Sequence, residues 1–272
     1  KALISLGHEV IYISGNNESE EVKVINEIAY NDDLDLLIGS ECYDALKYYD
    51  CESLESRIMI RAEVIKNKFI NIIQSEKVDC LVPNNIFALA KSLPIAIGLF
   101  NAIKETKVRV VNHHHDFYWE RAKYSSPTCP FIKRLLVEYF PPQMHNMSHA
   151  VINTFAAENL LRRKQLPSSV IPNVFDFNAP LWVKDDYNSD FKSAFGLTDD
   201  DVVFLQATRV TNRKSIELTI YLIHELNKRL DSLVGRTIYD GRKVTKDTNF
   251  VLLIVGLHEG INDYENKIIK YA

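Results

Sequence analysis

The stretch from Val202 to Leu230, VVFLQATRVTNRKSIELTIYLIHELNKRL, constrains this chain more than any other. It opens on the apolar run Val202-Val203-Phe204-Leu205, which is too short for a membrane span and has the β-branched and aromatic make-up of a buried strand. It closes on Ile216, Ile220, Ile223 and Leu230, which share one face of a helix. Between strand and helix sit Arg209, Arg213 and Lys214. The dipole of a helix favours anions, not cations, at its amino end. An anion held by the cations together with the first free N–H groups of the helix accounts for all three. Three solvated cations on a surface βα loop are the plainer alternative.

The 272 residues suffice for two domains of ordinary size. Apolar content of 46% and charged content of 25% are those of a folded chain with a core. The net charge of -4 argues against a nucleic-acid partner, or a membrane surface, engaged through a bulk basic field. No run has the length of a transmembrane helix and no signal peptide is recognised, so a cytoplasmic protein is expected and membrane association is not indicated. The four cysteines, Cys42, Cys51, Cys80 and Cys129, include no CxxC pair, and reduced thiols are expected in preference to disulfides or a zinc site.

Read in order, the chain alternates strands and helices. Residues 1–10 read as the end of a helix, a Gly7 cap and the start of a strand that continues to Ser14, with Gly15-Asn16-Asn17 as a turn. Residues 56–76 read as an amphipathic helix with Ile60, Val64, Phe69 and Ile72/Ile73 as its apolar stripe. Strands are expected at 78–83, 108–112 and 151–154, with helices at 94–104 and 156–164, and 170–172 extended. Residues 176–201 mix Pro, Asn and Asp with short apolar runs, as a crossover between domains does. Beyond it come a strand at 202–207, a helix at 215–230, a polar excursion at 231–248, a strand at 249–256 and a last helix from about Asn262. The pattern predicts parallel, doubly wound α/β architecture. Both ends fall inside elements, so a fragment truncated at each end is expected.

Two further stretches could carry chemistry. His113-His114-His115-Asp116 follows a strand, and strand ends in open α/β sheets are where ligands bind. Neighbours on an extended chain point to opposite sides, so this run alone is poor geometry for a metal. One histidine with Asp116 can instead face a ligand; packing histidines are the alternative. Phe117-Tyr118-Trp119-Glu120-Arg121 combines rings with a Glu and an Arg, the mix that stacks on sugars and reads their hydroxyls, or else a packing cluster. Val255-Gly256, with Gly260 beyond, ends a strand with a glycine that permits close backbone approach, or serves as a turn glycine. GxGxxG, the P-loop and GxSxG are absent.

Taken together, HHHDFYWER (113–121), VIPNVFD (170–176), ATRVTNRKS (207–215) and LLIVG (252–256) lie in the order that resembles glycosyltransferase family 4, whose members are retaining transferases of the GT-B fold. The resemblance covers essentially the whole chain. It implies two Rossmann-like domains facing a cleft: residues 1–176 on the acceptor side with the first strand missing, and 177–272 binding the nucleotide sugar, incomplete. It implies that Arg209 and Lys214 bind the donor diphosphate, with Gly256 and Asn173 also on the donor side. His115 is the histidine near the transferred sugar, and Asp116, Tyr118, Trp119, Glu120 and Arg121 lie on the acceptor side. The implied activity moves a hexose from a nucleotide-diphosphate sugar to a hydroxyl of a sugar, sugar acid or glycan. No cofactor and no essential metal are implied; Asp199-Asp200-Asp201 reads as a turn before a strand.

The chain departs from the pattern at two places. Val174 stands where the family has a glycine, and Ser215 stands where a glycine commonly follows the lysine, a substitution that a helix start tolerates. The family's pair of glutamates seven positions apart, and its glycine-rich loop after the first strand, are not in this sequence, so the chain by itself is expected to be inactive. Rival readings are another enzyme on the same architecture, such as a sugar-nucleotide epimerase or a GT-B phosphorylase, and a binding protein that holds nucleotide or glycan without transfer.

Overall fold

Caps decide where the helices of the first half begin. Asp50 accepts a hydrogen bond from the Ser53 N–H while the Ser53 hydroxyl answers the Asp50 N–H, a capping box that starts a helix at Cys51. Ser92 caps the next long helix through the Ile95 N–H at 3.3 Å, with Pro94 in its first turn, where a missing N–H costs nothing. Asn153 does the same for a third through Ala156.

A computed structural model describes residues 2–16, 19, 21–29, 31–173, 176–180, 182–256 and 263–271. The chain divides into two compact units, Lys1–Asp176 and Phe177–Ala272. The first contains α1 (Ala2–Ser5), β1 (Tyr12–Ser14), β2 (Val22–Val24), α2 (Asp33–Tyr43), α3 (Cys51–Ser75), β3 (Cys80–Leu81), α4 (Leu93–Thr106), β4 (Arg109–His114), α5 (Pro130–Tyr139), β5 (Met147–Val151), α6 (Thr154–Lys164) and β6 (Ser169–Val170). The second contains α7 (Phe191–Ala194), β7 (Val202–Ala207), α8 (Ile216–Lys228), α9 (Leu230–Leu233), β8 (Phe250–Val255) and α10 (Asp263–Tyr271).

Both units are α/β, and their sheets are parallel. β1 pairs with β2, the order β3-β4-β5-β6 forms a four-stranded sheet, and β7 pairs with β8 over their full length. Because the four strands run in chain order, their sheet contains no reversal of order. Its carboxyl edge is therefore the place to look for ligand-facing residues in the first unit, on strand direction alone.

Leu54, Ile58, Ala62, Ile65, Phe69 and Ile73 form the buried stripe of α3, at steps of three and four. This corrects the expected phase: Ile60 and Val64 are exposed. The capping box starts the helix at Cys51, and Leu54 and Ile58 on the first turns set which face turns inward. Gly98 lets α4 approach closely, since a methyl there would lie 2.7 Å from the Ala62 carbonyl oxygen of α3. α5 has no counterpart in the sequence reading. The expected strand at 151–154 ends at Val151, because Asn153 is taken as the cap of α6. Asn17 of the expected early turn, Val174 and Gly260 lie outside the described residues.

The expectation of reduced thiols is overturned for one pair. Cys51 and Cys129 form a disulfide, with Cα atoms 5.7 Å apart and a separation of 78 positions in sequence. The start of α3 and the residue preceding α5 meet there, a juxtaposition that only tertiary packing creates. Cys42 is a buried free thiol and Cys80 an exposed one.

In the second unit, Val202, Ile223, Val244 and Phe250 form one core, and Val210, Ile216 and Ile268 another. The polar excursion turns back on itself through an antiparallel bridge between Thr237 and Lys243. Asp201 precedes β7, its carboxylate accepting from the Thr198 N–H and the Asn249 amide. No helix among the described residues is long and apolar enough to cross a membrane.

Candidate functional site

In the first unit the carboxyl ends of β3, β4 and β6 gather the candidate residues. Pro83-Asn84-Asn85 leaves β3 and folds against the end of β4: the His113 N–H donates to the Pro83 carbonyl at 3.0 Å, and the Asn85 N–H to the His113 carbonyl at 2.8 Å. Asn85 takes a left-handed conformation (φ 61°), which asparagine tolerates better than most residues. Its side-chain oxygen then accepts the N–H groups of His115 and Asp116, at 3.0 and 3.2 Å. Asn85 thus orients the His-Asp pair, and the sequence signalled it only as part of a turn. At β6 the chain comes alongside, with the Ile171 carbonyl 3.4 Å from His113 Nε2. Asn173 is exposed just beyond.

The three histidines divide as backbone alternation requires. His114 turns inward, 1% exposed, with its Nε2 3.0 Å from Nδ1 of His149 on β5. Burial, and then the neighbouring histidines, push the His114 pKa down to about 3. Burial, and then Lys164, push His149 down to about 4. Both rings are therefore neutral at pH 7. His113 and His115 lie on the other side, their rings 4.7 Å apart. The His115 pKa is lowered by burial first and by His113 next, against the pull of Asp116. Among the described residues no group of three or more His, Cys, Asp or Glu side chains is placed to hold a metal ion.

Asp116 pairs with Arg121 at 2.6 Å, closing the loop that follows β4. The Glu120 carboxylate accepts the Phe117 N–H at 3.3 Å, so it braces the same loop. Phe117 is fully buried, and Trp119 stacks on it with centroids 4.4 Å apart while the Arg163 guanidinium lies 5.5 Å from the Trp119 ring centre. Tyr118 packs against the main core. Much of this aromatic run is therefore packing. Within residues 115–121, three nitrogen atoms stay shielded from water without a hydrogen-bond partner: His115 Nε2, Trp119 Nε1 and Arg121 Nε. Buried polar nitrogens are ordinarily paired, so these three stand out in the loop.

In the second unit the candidate cations lie on the segment leaving β7. Arg209 and Arg213 are exposed and Lys214 is half-buried. Val210 and Ile216 are buried, so the intervening residues 211–215 are held at both ends. A single 3-10 turn spans Asn212–Lys214. Gln206 ties the segment to α8, its amide donating to the Thr208 hydroxyl at 3.2 Å and accepting from Thr219 at 2.8 Å. Gly256 ends β8 against this segment: a methyl there would sit 1.9 Å from the Thr208 carbonyl oxygen. Its close approach is to the chain's own backbone.

One sequence expectation needs correction here, and Ser215 meets the helix start in an unusual form. Ser215 does not act as a side-chain cap of α8; it sits in the left-handed region (φ 48°) and its side chain makes no capping bond. Nor is the first N–H of α8 free for an anion. The Ile216 N–H donates to the Tyr264 hydroxyl at 2.8 Å, and that hydroxyl donates to the Glu217 carboxylate. Tyr264 lies 48 residues away, and no local pattern marks it.

The architecture is α/β with parallel sheets, carrying polar and charged residues at strand carboxyl ends in each unit. No family model matches the chain. Two curated relatives do. Mannosylglucosylglycerate synthase of Petrotoga mobilis aligns with all of the chain at 36% identity, and mannosylglucosylglycerate synthase of Thermotoga maritima at 32%. The chain spans 62% and 61% of their lengths. Among solved structures, the glycosyltransferase SnogD from Streptomyces nogalater overlaps 97% of this chain and 72% of its own, at 13% identity and a TM-score of 0.41, too low to define a shared fold.

Proposed function

We propose that this chain belongs to a glycosyltransferase that moves a hexose from a nucleotide-diphosphate sugar to an acceptor hydroxyl, with retention of anomeric configuration. The observation that carries the reading is the full-chain identity to two relatives named as synthases of a mannosyl-glucosyl-glycerate. Their name points to mannose as the transferred sugar and to a glucosylated sugar acid as the acceptor. The second unit supplies Arg209 and Lys214 for the diphosphate, with Gly256 holding their segment against β8. As the bond from sugar to β-phosphate breaks, negative charge grows on the leaving group, and fixed cations lower that barrier. In the first unit His115, which Asn85 orients, is assigned a catalytic role. Asp116 and Arg121, paired with each other, serve the acceptor. Asn173 belongs with the donor side, and no cofactor or metal takes part.

The test incubates the intact protein with glucosylglycerate and, in turn, GDP-mannose, UDP-glucose and ADP-glucose, and follows the product by mass and by the anomeric coupling of its new linkage. Transfer with retention is the expected result. Arg209→Ala and Lys214→Ala are each expected to lower turnover at least about tenfold, or about 1.4 kcal/mol. Absence of transfer from all three donors, or full turnover in both variants, overturns the proposal.

A further inference from the structure

The amino end of α8, beside Arg209, Arg213 and Lys214, has the makings of an anion seat. The seat is filled from within the protein. The Ile216 N–H is taken by the Tyr264 hydroxyl at 2.8 Å, and the Leu218 N–H by the Ser215 carbonyl at 3.0 Å. The Tyr264 hydroxyl passes its own proton toward Glu217, so a carboxylate already occupies the first turn of the helix, where the dipole favours it. A phosphate arriving at this point would meet a like charge and find these two N–H groups occupied.

α10 also controls the segment that bears the cations. Its Ile268 is buried with Val210 and Ile216, the residues that bound 211–215, and Tyr264 packs against the same three. Within the segment, the Lys214 N–H donates to Thr211 at 2.9 Å and the Ser215 N–H to Asn212 at 3.1 Å. The position of the Lys214 backbone therefore depends on where α8 begins, and the Tyr264 bond to Ile216 marks that point.

We propose that Tyr264 and Glu217 are positioning residues of the diphosphate site: their pair closes the amino end of α8, so that a diphosphate is held by the Arg209 and Lys214 side chains and not by the helix N–H groups. This rests on the donor reading given above. The hydrogen bond from Tyr264 also holds the Glu217 carboxyl below the usual glutamate range, which keeps it ionised at neutral pH.

The test measures, in the intact protein, the affinities of GDP, UDP and ADP and of the matching monophosphates. The base that binds tightest is carried forward as a ratio of diphosphate to monophosphate affinity. Tyr264→Phe removes one hydroxyl and keeps the ring in place. It is expected to lower that ratio about five- to tenfold while monophosphate affinity stays within twofold. Glu217→Gln, on a half-exposed position, keeps an acceptor for the Tyr264 hydroxyl while removing the like charge, and is expected to lower the ratio less than Tyr264→Phe does. Equal losses for both nucleotides, or no loss in either variant, overturn the positioning role. Arg209→Ala and Lys214→Ala separate the two levels: if they lower the ratio and Tyr264→Phe does not, the positioning role alone fails. If none of the three lowers it, the diphosphate reading fails as well.

Discussion

Gly256 and Thr208 are in backbone contact: a Cβ on Gly256 would lie 1.9 Å from the Thr208 carbonyl oxygen and 3.4 Å from the Arg209 Cα. The end of β8 thereby fixes where the chain leaves β7. Gly256→Ala must push these two strand ends apart. Overpacking of this kind costs about 1–3 kcal/mol. The expected outcome is a lower denaturant midpoint together with weaker nucleoside-diphosphate binding, and an unchanged midpoint would show that the segment yields freely.

Ser215 holds φ 48° at the start of α8 without making a side-chain cap. A residue with a Cβ is strained there by roughly 1 kcal/mol relative to glycine. Ser215→Gly is therefore expected to stabilise the protein by about 0.5–1 kcal/mol. Ser215→Ala is expected to cost less than about 0.5 kcal/mol, below the usual loss of a capping serine. Chemical denaturation of both variants checks this, and a large loss for Ser215→Ala would show that its side chain supports the helix start.

The buried His114–His149 pair carries a pH signature. Both pKa values are depressed from 6.5, to about 3 and about 4, so the folded state disfavours protons that the unfolded chain accepts. Stability from these rings is complete above the unfolded value and is lost as pH falls from about 6.5 to about 4 for His149 and to about 3 for His114. The slope is up to about 1.4 kcal/mol per pH unit for each ring. His149→Gln keeps a hydrogen-bonding group beside His114 and is expected to remove about half of that slope. Unfolding followed between pH 7 and pH 4 measures it, and parallel curves for wild type and variant would refute the assignment.

Glu41 also loses its contribution in acid, but as a buried charge and not as a neutral ring. Its buried carboxylate accepts the N–H groups of Lys47, Tyr48 and Tyr49 and so shapes the loop before α3. Burial raises its pKa, but the three N–H donors outweigh that and the net direction is downward. Its contribution is present above the ordinary glutamate range and disappears as pH falls through the depressed value. Glu41→Gln is expected to lower the melting temperature at pH 7, with the gap to wild type narrowing in acid. A constant gap across pH would contradict this.

The Cys51–Cys129 disulfide closes a loop of 78 residues around α3, α4 and β4. Loop entropy of this size corresponds to about 2–5 kcal/mol of stability. Thiol titration of the denatured, unreduced chain is expected to find two reactive cysteines, Cys42 and Cys80, and four after reduction. Four before reduction would rule the bridge out.

What could be read from the residues alone was local and periodic. β7 was legible at 202–207 because β-branched and aromatic residues cluster there, but its burial was not: only Val202 is buried, and Leu205 is exposed. α8 was legible because Ile216, Ile220 and Ile223 recur at helical spacing. That the three histidines divide between two sides of β4 also followed from strand geometry. Tertiary structure decided everything that depends on distant partners. It chose which face of α3 is buried, because the cap at Asp50 and the packing of α4 set the phase. It turned His114 inward through His149, 35 residues on. It placed Asn85 under the His-Asp pair, joined Cys51 to Cys129, and put Tyr264 on the amino end of α8. Hydrophobic period and turn chemistry are properties of neighbours in sequence, whereas hydrogen-bond satisfaction and close backbone contact are properties of neighbours in space.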